Sequence, residues 1–344
     1  MKIHILYHLK SSPTGGGNQF LKNLKHFLKE SKVYAEDIKK ADTILFNSHQ
    51  FIMEVAQAKR RYKNKIFVHR IDGPMRAYNN LDDRRDLVVG TAGKLISDAT
   101  IFQSHWSKKE NYRQGFHKNA FETVIINAPD NTLFNRKGKI KFSSKRKTRL
   151  IAVSWSTNPQ KGFDVYRWMD EHLDFKRYEM DFIGNSTVKF KNIKQKPPMK
   201  SSGLAKQLKK SDIFIFASKI EACSNALLEA LHCGLPCLAY GYSSNPEIVG
   251  KAGECFKNTK EIPALLKKIV KRYSVYQKNM TLPSIEQIGK RYYDFLFQIY
   301  KKVQSQRYEV KKFSLLDYLK VMATHYLWIF GEKVKGKIRL LYVK

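Results

Sequence analysis

The chain has 344 residues and carries 64 Lys and Arg against 30 Asp and Glu, a formal net charge of +34. At roughly 150 residues per domain this length predicts two domains, and 42% hydrophobic with 12% aromatic residues is too apolar for a disordered basic tail. No apolar run approaches the roughly 20 residues of a spanning helix, the amino terminus shows no signal-peptide core, and the four cysteines do not form the pattern of a secreted disulfide scaffold, so the expected setting is the cytosol.

Short runs rich in β-branched and aromatic residues recur with helix-like stretches between them. They lie at 3–7, 43–46, 65–71, 99–103 and 123–126, then at 150–154, 180–183, 213–217 and 237–240. Continuous apolar strands alternating with amphipathic helices predict α/β architecture with parallel sheets buried on both faces. Between the two groups, residues 131–149 are polar and aperiodic, with eight basic and no acidic side chains, and read as a linker. The expected division is a domain over 1–130, a second over 150–280, and helices over 281–344, with a crossing back to the first domain left open. Two doubly wound domains facing each other would bind ligands in the cleft beyond their strand ends.

After residue 261 the pattern turns helical, with apolar spacing over 285–303 and about 315–330. The final 44 residues hold 11 basic and three acidic side chains, with Tyr318, Tyr326, Trp328 and Phe330 among them. This tail reads either as an interfacial helix on an anionic membrane or as a helix packed on the body with its aromatics in a core. The charge as a whole fits nucleic acid, an anionic membrane, phosphate-bearing small molecules, or plain compositional drift, since 48 of the 64 cations are Lys. No helix-turn-helix, zinc-finger, RRM or KH signature supports the nucleic-acid reading. Cys223, Cys233, Cys237 and Cys255 lack paired zinc-ligand spacing and read as small buried thiols.

The most informative segment is SDIFIFASKIEACSNALLEALHCGLPCLAYGYSSNPEIVG, residues 211–250. A buried strand ends near Ser218, and a loop carries Glu221. Ser224 then caps a helix that Gly234 terminates, before Pro236 opens the next strand. A helix start at the carboxyl edge of a parallel strand presents unpaired N–H groups and positive dipole, which suits phosphate. Glu221 lies just ahead of that start and Glu229 inside the helix, so one carboxylate can read a sugar and the other a ribose.

The segment resembles the sugar-donor region of the retaining glycosyltransferases of family 4 (glycosyl transferases group 1), which have the GT-B fold. Their hallmark is two glutamates separated by seven residues, the second opening E-A-x-x-C/A-G-L-P, matched here by Glu221, Glu229, Ala230, Cys233, Gly234, Leu235 and Pro236. The resemblance implies two Rossmann-like domains across a cleft with carboxyl-terminal helices. It implies transfer of a hexose from a nucleotide diphosphate sugar to a glycan or lipid-linked glycan, with no cofactor, metal or nucleic acid. Glu229 would hold the ribose and Glu221 the hexose. Lys161, in the K-G turn of LIAVSWSTNPQKGFDVY, would neutralise the diphosphate together with the helix start at Ser224 and Asn225. Gly184 and Asn185 match the glycine turn beneath the nucleotide. Gly16 and Gly17, in SSPTGGGNQFLKNL, match the glycine-rich loop facing the cleft. His69 or Asp72, in KIFVHRIDGP, would be the catalytic group near the hexose. The chain departs from the family at Ser156, where an arginine is common, and at Ala128 and Pro129, where Gly and Val are usual.

Two further readings stand beside this one: a GT-B nucleotide-sugar epimerase, and a basic nucleic-acid-binding protein. Peripheral attachment to an anionic membrane is compatible with either enzyme reading.

Overall fold

The computed structural model describes residues 1–10, 16–79 and 83–342, with side chains to residue 333. The chain divides into two compact units. The first comprises Met1–Leu9, Leu24–Ile126 and the chain from Gly289 onward; the second comprises Lys10–Asn23 and Asn127–Ile288.

In the first unit five parallel strands, β1 (Ile3–Leu6), β2 (Thr43–Asn47), β3 (Ile66–Ile71), β4 (Ala99–Phe102) and β5 (Phe121–Val124), pair in the order of the chain. A single parallel bridge between Ile3 and Tyr34 extends the sheet on the far side of β1, with Ile3 N–H on Val33 C=O (2.9 Å) and Ala35 N–H on Ile3 C=O (2.8 Å). Counting that bridge as the second of six elements gives the order 2-1-3-4-5-6, a doubly wound sheet whose direction of winding reverses between β1 and β2. β2 and β3 are buried along their whole length, because helices cover both faces. The core gathers Leu6, Ile44, Phe46, Val55, Phe67, Val88 and Ala92, and the carboxyl-terminal segment adds Phe313 and Val321.

In the second unit β6 (Thr148–Ser154), β7 (Tyr178–Gly184), β8 (Lys194–Lys196), β9 (Ile213–Phe216), β10 (Cys237–Tyr240) and β11 (Gly253–Phe256) form a parallel sheet of order β11-β10-β9-β6-β7-β8. Counted within the unit this is 6-5-4-1-2-3, the Rossmann order, and its switch point falls between β6 and β9. Leu150, Phe163, Tyr166, Met169, Phe182, Ile213, Ile215 and Phe256 share its core. Residues 131–149, expected as a linker, are fastened to this unit. Ile140 N–H donates to Lys209 C=O (2.9 Å), Arg146 grips Asp212 (2.6 Å), and β6 already begins at Thr148.

The two sheets close their amino edges alike. Asp98, just before β4, donates its N–H to Phe67 C=O (2.8 Å) and takes the Phe67 N–H on Oδ2 (2.8 Å). Asp212, just before β9, does the same with Arg149 (2.7 and 2.9 Å). Both carboxylates are wholly buried and are held by cations, Lys59 (3.4 Å) for Asp98 and Arg146 with Arg149 for Asp212. Part of the basic excess in 131–149 therefore answers a buried structural charge rather than a ligand.

Candidate active site

The carboxyl ends of β6 and β9 flank the switch point of the second sheet, and the sequence places its polar loops there. After β6 the chain makes a short turn, Pro159–Lys161, capped by the Asn158 side chain on Gln160 N–H (2.8 Å). Gly162 follows with φ +75°, and a Cβ at this position would stand 2.7 Å from the Ala217 carbonyl carbon. Only glycine lets the turn approach the end of β9 so closely. Gly162→Ala should therefore lower the stability of this unit by about 2–4 kcal/mol, measured by denaturant unfolding, and misplace Lys161.

That approach brings Lys161 Nζ to 2.6 Å from Glu221 Oε1. Ser218, at the end of β9, donates its hydroxyl to the same oxygen (2.6 Å). Both of these donors go to Glu221 Oε1, and among the described residues none donates to Oε2. The backbone of Glu221 is held as well: its N–H donates to Ser243 Oγ (3.1 Å) and its C=O accepts from Ser244 N–H (3.2 Å). Asn245 Nδ2 ties Ser218 C=O (2.8 Å) to Tyr240 C=O (3.0 Å), joining the ends of β9 and β10 beneath the loop. Sequence reasoning did not single out Ser218, Ser243 or Asn245. Their only signal was a place in polar turns after strands.

Ser224 caps the helix Asn225–His232 as expected, its hydroxyl accepting from Leu227 N–H (3.3 Å), and Gly234 ends the helix at φ +82°. Asn225 bridges Asn127 Nδ2 (2.9 Å) and Gly16 C=O (2.8 Å). Asn127 is a further member of the cluster that the sequence did not distinguish. Gly16 and Gly17 open the helix Gly16–Glu30, whereas the first part of their expected loop, residues 11–15, lies outside the described residues. Glu229 sits one turn inside its helix, 8% exposed, with no hydrogen bond or ion pair to its carboxyl among the described residues. Burial alone pushes its pKa up to about 8. With no partner among the described residues, the carboxyl keeps hydrogen-bonding capacity unfilled within the protein.

Gly184 ends β7 at φ +119°, where a Cβ would stand 2.9 Å from the Ser154 carbonyl carbon. Asn185 then turns back over β6, with its N–H on Ser154 C=O (2.9 Å) and Nδ2 on Trp155 C=O (2.7 Å). Ser156, standing where the family commonly has arginine, braces the same turn by accepting from Asn158 N–H (3.1 Å).

The two first-unit candidates part company. His69 lies in the middle of β3, wholly buried and stacked on Phe46 (4.3 Å between centroids), with Nε2 at 2.9 Å from Ser48 C=O. Burial brings its pKa down to about 4, so the ring is neutral and enclosed. Asp72 emerges at the carboxyl end of the strand, its carboxylate 23% exposed and held by Asn47 (3.2 Å), Arg70 (3.4 Å) and Gln103. The register that the sequence left open puts the histidine inside and the aspartate at the edge.

Cys223, Cys233 and Cys237 are buried and Cys255 is half-buried, with burial raising the thiols of Cys233 to about 12 and Cys255 to about 11. Among the described residues no group of three or more His, Cys, Asp or Glu side chains is arranged to hold a metal, and no helix is long and apolar enough to cross a membrane.

Two parallel Rossmann-like sheets of these orders define the GT-B fold class. Residues 185–274 match the family of glycosyl transferases group 1, the segment that holds Glu221, Glu229 and the capped helix. No curated protein sequence matches the chain. Among solved structures it is similar to sucrose-phosphate synthase from Thermosynechococcus elongatus, at 12% identity over 96% of this chain and 99% of the other, with a TM-score of 0.58. It is also similar to the lipopolysaccharide outer core galactosyltransferase WaaB (12% identity, 87% and 100% covered, TM-score 0.63). A third is HepE from Anabaena, solved with UDP and with UDP-glucose (14% identity, 89% and 100% covered, TM-score 0.61). At these identities the likeness is one of fold.

Proposed function

We propose that the chain is a retaining glycosyltransferase that moves a hexose from a nucleoside diphosphate sugar to a hydroxyl of a glycan or lipid-linked glycan. The observation that carries this reading is the Lys161–Glu221–Ser218 cluster at the switch point of the second sheet, beside a capped helix that buries Glu229 with no partner among the described residues.

In this reaction the bond from the sugar C1 to the diphosphate oxygen breaks. The acceptor oxygen bonds to C1 on the same face, and the acceptor proton passes to the departing diphosphate. Negative charge grows on that leaving group, and the Lys161 ammonium with the N–H groups at the start of Asn225–His232 is positioned to stabilise it. The expected rate is consequently unchanged by EDTA. Glu221 Oε2 accepts from hexose hydroxyls while Lys161 and Ser218 hold Oε1, and Glu229 takes the ribose hydroxyls. Of the first-unit candidates Asp72 is assigned to the substrate, because its carboxylate is accessible and the His69 ring is not.

The test is a thermal-shift panel of UDP, GDP, ADP and CMP sugars, begun with UDP-glucose because a similar fold was solved with it. A cognate sugar donor at a hundred times its Kd should stabilise the protein by about 2.7 kcal/mol. Product analysis then decides the chemistry. Free nucleoside diphosphate with a glycosylated acceptor supports transfer; an isomerised donor means epimerisation instead. Indifference to every sugar nucleotide, with steeply salt-dependent duplex binding, would sink both enzyme readings.

A further inference from the structure

The helix Leu315–Tyr342 settles against Ile52–Arg61 and Arg85–Leu95 of the first unit, with Val321 wholly buried and Tyr318 and Trp328 partly buried in the core there. Among the described residues its other side is exposed. Leu315, Leu316, Leu319, Tyr326, Leu327 and Phe330 are 42–66% exposed, and Ala323 is exposed among them. At about 100° per residue these seven positions fall within an arc of about 120° along four turns, so they form one continuous apolar stripe rather than scattered surface residues. One side of this helix is thus packed on the body, as one of the two sequence readings expects, and the opposite side carries the exposed stripe.

We propose that this stripe lies on an anionic lipid bilayer. Charge complementarity selects that occupant. Exposed Lys312, Lys320 and Lys333 border the stripe. Arg60 stands over the Tyr318 ring (5.0 Å) and Arg84 donates to Leu327 C=O (3.3 Å), which adds cations from the neighbouring elements. Asp317 is spent locally, its carboxylate accepting from Ser314 N–H (3.0 Å) at the helix start. Residues 301–344 carry 11 basic side chains against three acidic. Leu, Tyr and Phe rimmed by Lys and Arg match a helix lying in the headgroup layer, with apolar side chains among the acyl chains and ammonium groups at the phosphates.

The experiment is flotation of the full chain with vesicles of phosphatidylcholine alone, or containing about 30% phosphatidylglycerol, at low and high salt. The chain should bind the anionic vesicles at least about tenfold more tightly than the neutral ones, and added salt should weaken that binding. Leu316→Glu with Phe330→Glu should abolish it, and the milder Leu316→Ser with Phe330→Ser should weaken it, both with unchanged thermal unfolding because these side chains are already exposed. Val275→Glu, an exposed apolar position of the second unit, should bind like the parent. Failure of the parent chain to float with anionic vesicles overturns the proposal, as does full binding by a folded stripe variant. A dimer in solution that the stripe substitutions convert to monomer also overturns it, in favour of a second copy on this face. None of these outcomes depends on sugar transfer, so the proposal fails or stands apart from the proposed activity.

Discussion

Replacing Lys161 with Met should lower kcat/KM for the sugar donor about 10²- to 10³-fold while leaving the unfolding midpoint close to that of the parent chain. The magnitude is that of removing one preorganised charge from a developing anion, about 3–4 kcal/mol. The fold should survive, because Lys161 sits on a partly exposed turn and Gly162, not the lysine, makes the close packing against Ala217. A second loss accompanies the first: without the ammonium at 2.6 Å, Glu221 Oε1 keeps only the Ser218 hydroxyl among the contacts described. Lys161→Arg separates the two effects. It restores the charge but replaces a flexible point cation with a rigid fork, so it should recover part of the rate. Steady-state kinetics on the three proteins measures this, and a folded Lys161→Met variant with near-parental kcat/KM would remove the lysine from the mechanism.

Glu229→Gln should act in opposite directions on function and stability. Replacing the carboxyl with an amide should raise the KM for the sugar donor about 3- to 10-fold near pH 7, the worth of a hydrogen bond from a neutral carboxyl to a hydroxyl. Stability should rise instead. The Glu229 carboxyl titrates near 8 in the folded chain and at 4.5 when unperturbed, because burial disfavours its charge. Between those values the folded chain holds a proton that the unfolded chain has released, so the native state loses stability as pH rises from about 4.5 through 8. Glutamine does not ionise, so the variant's advantage should be small at pH 5 and reach on the order of 5 kcal/mol at pH 9. Denaturant unfolding at the two pH values checks the sign. An equal effect at both would mean that the carboxyl is not the titrating group.

Much of the architecture was legible because parallel strands buried on both faces must be continuously apolar. The runs at 43–46 and 65–71 become β2 and β3, and the run at 123–126 becomes β5 two residues earlier. The strands that escaped notice are those at the sheet edges. β8 reads KQK and β11 reads GECF, and an edge strand needs neighbours on one side only, so selection for apolar residues is weak there. The helix start at Ser224 was legible from local capping chemistry. The partners of Glu221 were not, because Ser218, Ser243 and Asn245 come together only once β9 and β10 are paired. His69 and Asp72 were inseparable for the same reason: a shift of a few residues along β3 decides between the interior and the edge of the sheet.

The aspartates at the two amino edges bear on the order in which the halves are completed during synthesis. Asp212 finds its cations in Arg146 and Arg149, both made before it. Asp98 accepts from Tyr308 Oη (3.2 Å) and Lys311 N–H (2.7 Å), more than 200 residues downstream, and Phe313 and Val321 enter the same unit's core. Both halves therefore have their sheets and their buried ion pairs, Lys59–Asp98 in the first, from chain made early. The half begun first still waits for two hydrogen bonds and two core side chains from far downstream. Removing residues 305–344 would strip two hydrogen bonds from a buried carboxylate and two side chains from that core, leaving the first half, not the second, exposed to misfolding.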